Sequence, residues 1–327
     1  MIVALAGGVG GAKLAQGLAL ALPPGDLVVV VNTADDFDLY GLRICPDLDT
    51  VLYTLAGIAN PETGWGIAGD TYASLDAIAR YGREPWFRLG DQDIATHILR
   101  TERLRAGATL TATMAELAGA LGVTARILPM TDDPVATLVD TPAGRLEFQE
   151  YFVGRKQADD VLGVTFRGIE AARLPDGVAA AIAAAQLVVF CPSNPIVSIG
   201  PILAVRGFRA ALDAATAPII AVSPIVGGRA LKGPADRMLA SLGHPVSAAG
   251  VAGLYAGLVD GMVVDEADRD LALAIAAESG METLVTRTVM GGPEDRHRLA
   301  VEVLAFGRGG VARSRDRHAA GTKGATG

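Results

Sequence analysis

A chain of 327 residues, half of them hydrophobic and only 5% aromatic, has ample Ala, Val and Leu to build a large α/β core. Its formal charge of −8 and pI of about 5.1 argue against a nucleic-acid-binding surface. The apolar runs break at Gly, Pro or Asp before the roughly 20 residues a membrane-crossing helix needs, and residues 1–6 read as a strand rather than a signal peptide. A soluble cytoplasmic protein is therefore expected.

The first element is a short apolar strand, Ile2-Val3-Ala4-Leu5-Ala6, which leads into Gly7-Gly8-Val9-Gly10-Gly11-Ala12-Lys13 and at once into a helical pattern. Strand, glycine turn and helix N-terminus together make an anion site, because free backbone N–H groups and the helix dipole both favour a phosphate. The loop has neither Walker spacing nor a ribose-binding acid after the next strand, and glycines that merely allow close helix–strand packing are the competing reading. Val28–Val31 then runs into Asn32-Thr33-Ala34-Asp35-Asp36, and helices are predicted at Leu48–Ile58, Thr71–Tyr81, Asp91–Arg105 and Leu110–Leu121. A strand-rich stretch follows, at Arg126–Pro129, Ala136–Asp140, Arg145–Phe152 and Val161–Arg167, with Pro142-Ala143-Gly144 as a hairpin connection.

After Pro175 the strand–helix rhythm returns. Leu187–Phe190 ends in Cys191-Pro192-Ser193-Asn194-Pro195, and Ile219–Val222 ends in Ser223-Pro224-Ile225-Val226-Gly227-Gly228. Later strands are predicted at Gly261–Val264 and Thr283–Arg287, and a last helix at Pro293–Phe306. The fold expected is α/β: a Rossmann-like, doubly wound, mainly parallel sheet with a helical and β-hairpin insertion. One domain would span 1–306, its nucleotide-binding core at 1–46 and 175–306 and its insertion at 47–174. The basic, glycine-rich segment 307–327 reads as a disordered tail. In such a sheet the ligand lies outside the carboxyl ends of the strands, so the four polar loops should line one cleft.

Cys45 and Cys191, far apart, read as reduced and buried thiols. Carboxylates in loops next to glycines suit Mg²⁺; Asp47 stands where a helix cap would, and Asp49, off its helix face, is more available to a ligand or a metal. Trp65 and Trp86 adjoin glycine or proline, where an aromatic can stack on a planar ligand or simply pack. His97, one turn after Asp93, can pair with it in either a structural or a catalytic role.

The segments Gly-Gly-Val-Gly-Gly-Ala-Lys-Leu, Val-Asn-Thr-Ala-Asp-Asp, Cys-Pro-Asp-Leu-Asp-Thr, Leu-Gly-Asp-Gln-Asp-Ile-Ala-Thr-His, Pro-Met-Thr-Asp-Asp-Pro, Phe-Gln-Glu-Tyr-Phe-Val, Pro-Ser-Asn-Pro-Ile-Val and Ser-Pro-Ile-Val-Gly-Gly occur in this order. Together they resemble the 2-phospho-L-lactate transferase family of coenzyme F-420 biosynthesis, called phosphoenolpyruvate transferase in its bacterial branch, over residues 1 to about 306. The resemblance implies a Mg²⁺-dependent transfer from a guanosine diphosphate ester of lactate or enolpyruvate to the ribityl hydroxyl of the deazaflavin Fo, with release of GMP. It places the deazaflavin-contacting acid at Asp49 and its basic partner at Arg88; Trp65, from its position beside glycine, is the candidate for ring stacking. On the nucleotide side it suggests Gly8, Gly10, Gly11, Ser193, Asn194, Gly227 and Gly228. Asp49 is the candidate catalytic residue, positioning the hydroxyl or holding Mg²⁺, with Asp35 and Asp36 as further metal candidates. A homodimer is implied as well. The alternative is a nucleotide-sugar-binding metabolic regulator of a sister family, without transfer chemistry.

Overall fold

The computed structural model of the protein describes residues 1–309 and 311. Seven strands form the central sheet: β1 (Ile2–Ala6), β2 (Leu27–Val31), β3 (Arg126–Pro129), β4 (Leu187–Phe190), β5 (Ile219–Val222), β6 (Gly261–Asp265) and β7 (Glu282–Thr286). Their order is β7-β6-β5-β4-β1-β2-β3, and every neighbouring pair is parallel. The strands are short, nearly unbroken apolar runs because the sheet is covered on both faces. Val3, Leu5, Val28, Val30, Val188 and Phe190 enter one core, while Ile2, Ala4, Val29, Val31, Leu187 and Val189 enter the other. This is the doubly wound α/β architecture expected.

Strand β1 sits mid-sheet with β2 on one side (Ile2 opposite Leu27) and β4 on the other (Ile2 opposite Leu187). The chain winds outward from β1 through β2 to β3, then returns to the far side of β1. The crevice between the carboxyl ends of β1 and β4 is therefore the topological switch point, where open α/β sheets hold their ligands. Helix α1 (Gly8–Ala21) leaves β1 at this crevice, and helix α2 (Pro46–Leu55) packs beside α1.

Three differences from the sequence reading have clear physical causes. Arg126–Pro129, predicted within the insertion, pairs with β2 and extends the central sheet, Val28 lying opposite Arg126. The strand predicted at Arg145–Phe152 ends at Glu147, after which the chain coils through a wide turn at Glu150–Gly154. Phe148, Tyr151 and Phe152 follow i, i+3, i+4 spacing; Phe148 and Tyr151 are buried in one cluster, and the rings of Phe148 and Phe152 stack. The last helix, Pro293–Arg308, carries Gly307 and Arg308, where the tail was expected to begin. Gly307 is buried against the Leu187 side chain of β4, with no room for a Cβ. The remainder of the expected tail, residue 309 and Val311 excepted, lies outside the described residues. Ala136–Thr141 pairs antiparallel with Gly144–Glu147 and Gly163–Arg167, and the hairpin turns at Pro142-Ala143 as predicted. Among the described residues no helix is long and apolar enough to cross a membrane.

Candidate active site

A cavity of about 780 Å³ opens over the carboxyl ends of the central strands. Gly8 and Gly10 after β1, Asp35 after β2, Ser193 and Asn194 after β4, and Ser223 and Pro224 after β5 all reach its wall, joined by Asp49, Trp65 and Arg88 from the insertion. The four polar loops do line one cleft.

The glycine loop is fixed to its neighbour across the switch point. Ser193 Oγ accepts from Gly7 N at 3.0 Å and donates to Gly7 O at 2.8 Å. A Cβ on Gly10 would stand 2.3 Å from the Pro192 carbonyl oxygen, and one on Gly11 would stand 2.5 Å from Ser193 Oγ. These two glycines thus allow close approach of the β1 and β4 loops, and Gly11 lies beneath the cavity wall rather than on it. Gly8 differs: its φ of +61° needs glycine, and nothing crowds the place where a side chain would project. Asn194 caps the turn that follows it, its Oδ1 accepting from Ile196 N at 2.9 Å. The expected nucleotide-side residues Gly227 and Gly228 stand off the cavity. They form the two-residue turn of the hairpin pairing Val226 with Arg229, and their φ values of +57° and +76° are what such a turn requires.

Two buried carboxylates, Asp35 and Asp47, meet at the cavity beside the glycine loop. Asp47 lies in the first turn of α2 and is no cap; its Oδ2 accepts from Asn32 Nδ2 at 3.0 Å. Burial pushes Asp47 up to about 6 despite the Asn32 bond. Burial, then the charge of Asp47, raises Asp35 well above the carboxylate range, and Asp35 Oδ1 has no hydrogen-bond partner. A pair of convergent carboxylates with a buried, unpartnered oxygen suits a hard divalent cation. Asp36 faces away, into a neighbouring cavity of about 470 Å³, with its nearest cation, Arg43, 3.8 Å off. Burial pushes it up to about 7.

Asp49 has different company. Arg100, wholly buried on the Asp91–Arg105 helix, grips both its oxygens, NH1 to Oδ2 at 3.1 Å and NH2 to Oδ1. The same guanidinium donates to Arg43 O at 3.3 Å and approaches His97 Nδ1 at 3.3 Å. His97 lies between two carboxylates, Nδ1 3.6 Å from Asp49 Oδ2 and Nε2 3.3 Å from Asp93 Oδ1, and Tyr53 donates to Asp93 Oδ1 at 2.7 Å. Asp49, Asp93 and His97 bring ligand atoms within 4.8 Å of one another. Arg100 already supplies the positive charge there, so the Asp35–Asp47 pair fits Mg²⁺ better than this cluster does.

The aromatic wall comes from three places. Phe148 and Phe152 stack at 5.5 Å with planes 6° apart, Phe87 stands nearby on the cavity wall, and Trp65 is 40% exposed at the rim. Trp86 instead packs among Phe37 and Phe87 at 5.6 Å from each. Arg88 is held by the face of Tyr72, 3.9 Å from the ring centroid. Reading the sequence missed Arg100, whose partner is 51 residues away, and it gave no site role to Phe148, Phe152 or Lys232. The i, i+3, i+4 spacing from Phe148 was a signal that would have found the first two.

Residues 2–289 match the model of the family described as 2-phospho-L-lactate transferase CofD. A phosphoenolpyruvate transferase of Streptomyces griseus subsp. griseus is 46% identical over 273 residues, 82% of this chain and 86% of that protein. A 2-phospho-L-lactate transferase of Methanosarcina mazei is 40% identical over 269 residues, 82% of this chain and 88% of that one. A crystal structure of a UPF0052 family member from Bacillus halodurans superposes with a TM-score of 0.60 at 15% identity, covering 93% of this chain and 98% of that chain, which shows a common fold. With its glycine loop, carboxylates and aromatic wall gathered at the switch point, the chain belongs to the 2-phospho-L-lactate transferase CofD family of transferases.

Proposed function

We propose that the protein transfers a phosphoenolpyruvyl or 2-phospho-L-lactyl group from its guanosine diphosphate ester to the ribityl hydroxyl of the deazaflavin Fo, releasing GMP, in coenzyme F-420 biosynthesis. The acceptor oxygen forms a bond to the phosphorus bearing the acid, the bond from that phosphorus to the bridging oxygen breaks, and GMP leaves with the bridging oxygen. The hydroxyl proton passes to water as the departing GMP takes up the bond's electron pair. Such a transfer depends on alignment and charge neutralisation rather than covalent chemistry from the protein.

Asp49 orients the acceptor hydroxyl. Each of its oxygens, though gripped by Arg100, keeps a lone pair for one more donor. Arg88 and Trp65 hold and cover the deazaflavin from the insertion side. The N–H groups at the start of α1 face the diphosphate. Mg²⁺, when bound, would lie with Asp35 and Asp47 and supply neutralisation of the diphosphate's charge. The observation that carries this reading is the single cavity, which collects these groups from segments scattered along the chain.

The test is mass spectrometry of the products formed from Fo, Mg²⁺ and each guanosine diphosphate ester. A phosphodiester of Fo with stoichiometric GMP is expected. Binding of a nucleotide sugar with no product from any ester would instead establish the regulator alternative. In the same assay Asp47→Asn should raise the Mg²⁺ concentration needed for half-maximal rate, whereas Asp36→Asn should not.

A further inference from the structure

One part of the cavity carries charge of the opposite sign, with no carboxylate paired to it among the described residues. Lys13, in the second turn of α1, and Lys232, on the loop before the Ala235–Ser241 helix, both line the cavity. No ion pair among the described residues involves either of them. Each is held by one backbone carbonyl: Lys13 Nζ donates to Met290 O at 2.9 Å, and Lys232 Nζ to Thr63 O at 2.6 Å. An ammonium has three donors, so two on each remain for a ligand.

The two lysines stand at the cavity near the glycine loop on separate anchors, Met290 O for Lys13 and Thr63 O for Lys232. A side chain at Gly64, beside Thr63, would meet Val9 of that loop at 2.6 Å and Lys232 Nζ at 3.4 Å. Burial and then the charges of Arg296 and Lys232 lower Lys13, the mark of cations gathered without a compensating anion. Unpaired like charges repel, and a fold tolerates them where a ligand of opposite sign belongs.

We propose that Lys13 and Lys232 clamp the phosphate oxygens of the donor diphosphate. The proposal rests on the transfer reading for the identity of the donor, and on the two lysines alone for the seat itself. Lys232 also joins the Asn60–Gly66 loop to the 231–234 loop above the glycines, so the diphosphate is covered by the same group that binds it.

Calorimetric titration of the full chain with GDP, GMP, guanosine and inorganic pyrophosphate tests it, with Lys13→Met, Lys232→Met and the corresponding Lys→Arg variants. The wild type should bind GDP more tightly than GMP. Each Met variant should weaken GDP and pyrophosphate about tenfold or more while sparing guanosine, and Arg should restore most of the loss. Met variants that bind GDP and pyrophosphate like the wild type overturn the proposal, as does a wild type that binds neither. Pyrophosphate binding that depends on both lysines, with no preference for guanine, upholds the clamp and removes the guanosine donor. A melting curve for each variant separates lost affinity from lost fold.

Discussion

The two ends of the cavity are built on opposite electrostatic plans. Where α2 meets the Asp91–Arg105 helix, buried charges contact their counterparts: Asp49 with Arg100, His97 between Asp49 and Asp93, Tyr53 on Asp93. Beside the glycine loop, Asp35 keeps an unpartnered oxygen and, among the described residues, Lys13 and Lys232 have no carboxylate. Paired buried charges hold their geometry whether or not a ligand is present. An unpartnered buried carboxylate such as Asp35 costs stability until a ligand completes it, while half-buried Lys13 and exposed Lys232 keep donors free at the cavity. The first end is built as framework, and the second leaves a carboxylate oxygen and two ammonium groups for a ligand to engage.

The comparison breaks most directly at Arg100. Replacing it with Met leaves the Asp49 carboxylate buried and uncompensated, and should cost about 3–5 kcal/mol in urea unfolding. A cost under about 1 kcal/mol would mean that this end is not framework. Gly10→Ala should cost about 1–3 kcal/mol, because its Cβ would meet backbone at Pro192 rather than a side chain that can swing away. Thermal melting should show it, and an unchanged midpoint would mean the β1 and β4 loops separate freely. Gly228→Ala strains a left-handed residue by about 1–2 kcal/mol, yet GDP affinity should not change. Lost affinity would return the Gly227-Gly228 turn to the ligand site.

The last expected effect is one of sign. Asp36 is pushed up to about 7 from an ordinary carboxylate value, so the folded state binds more protons than the unfolded one between those values. Stability should therefore fall as pH rises from about 4 toward 7. Asp36→Asn should flatten that slope and raise the unfolding midpoint more at pH 8 than at pH 5. Chemical denaturation at the two pH values measures it, and an equal gain at both would place the strain elsewhere.

Much of the site was legible by position but not by role. Ser193 and Asn194 do line the cavity, yet their side chains secure Gly7 and cap the following turn. Asp47 looked like a helix cap and instead bonds Asn32 beside the glycine loop. Asp132 and Asp133, before Pro134, accept from Thr111 N at 2.7 Å and Arg173 N at 2.9 Å. In each case the residue type announced a polar contact, but several partners were compatible with it.

What the amino-acid order determined alone is local. Strands buried on both faces must be short unbroken apolar runs, and a strand that turns at once into a helix needs glycine, so β1, β2, β4 and β5 and the loop after β1 could be located without coordinates. Which charge answers which was decided only in three dimensions. Asp49 meets Arg100 across 51 residues, and Lys13 comes near Lys232 from the other half of the chain. Pairing depends on distance in space, and burial then sets whether a lone charge is tolerated; neither is written in the spacing of residues along the chain.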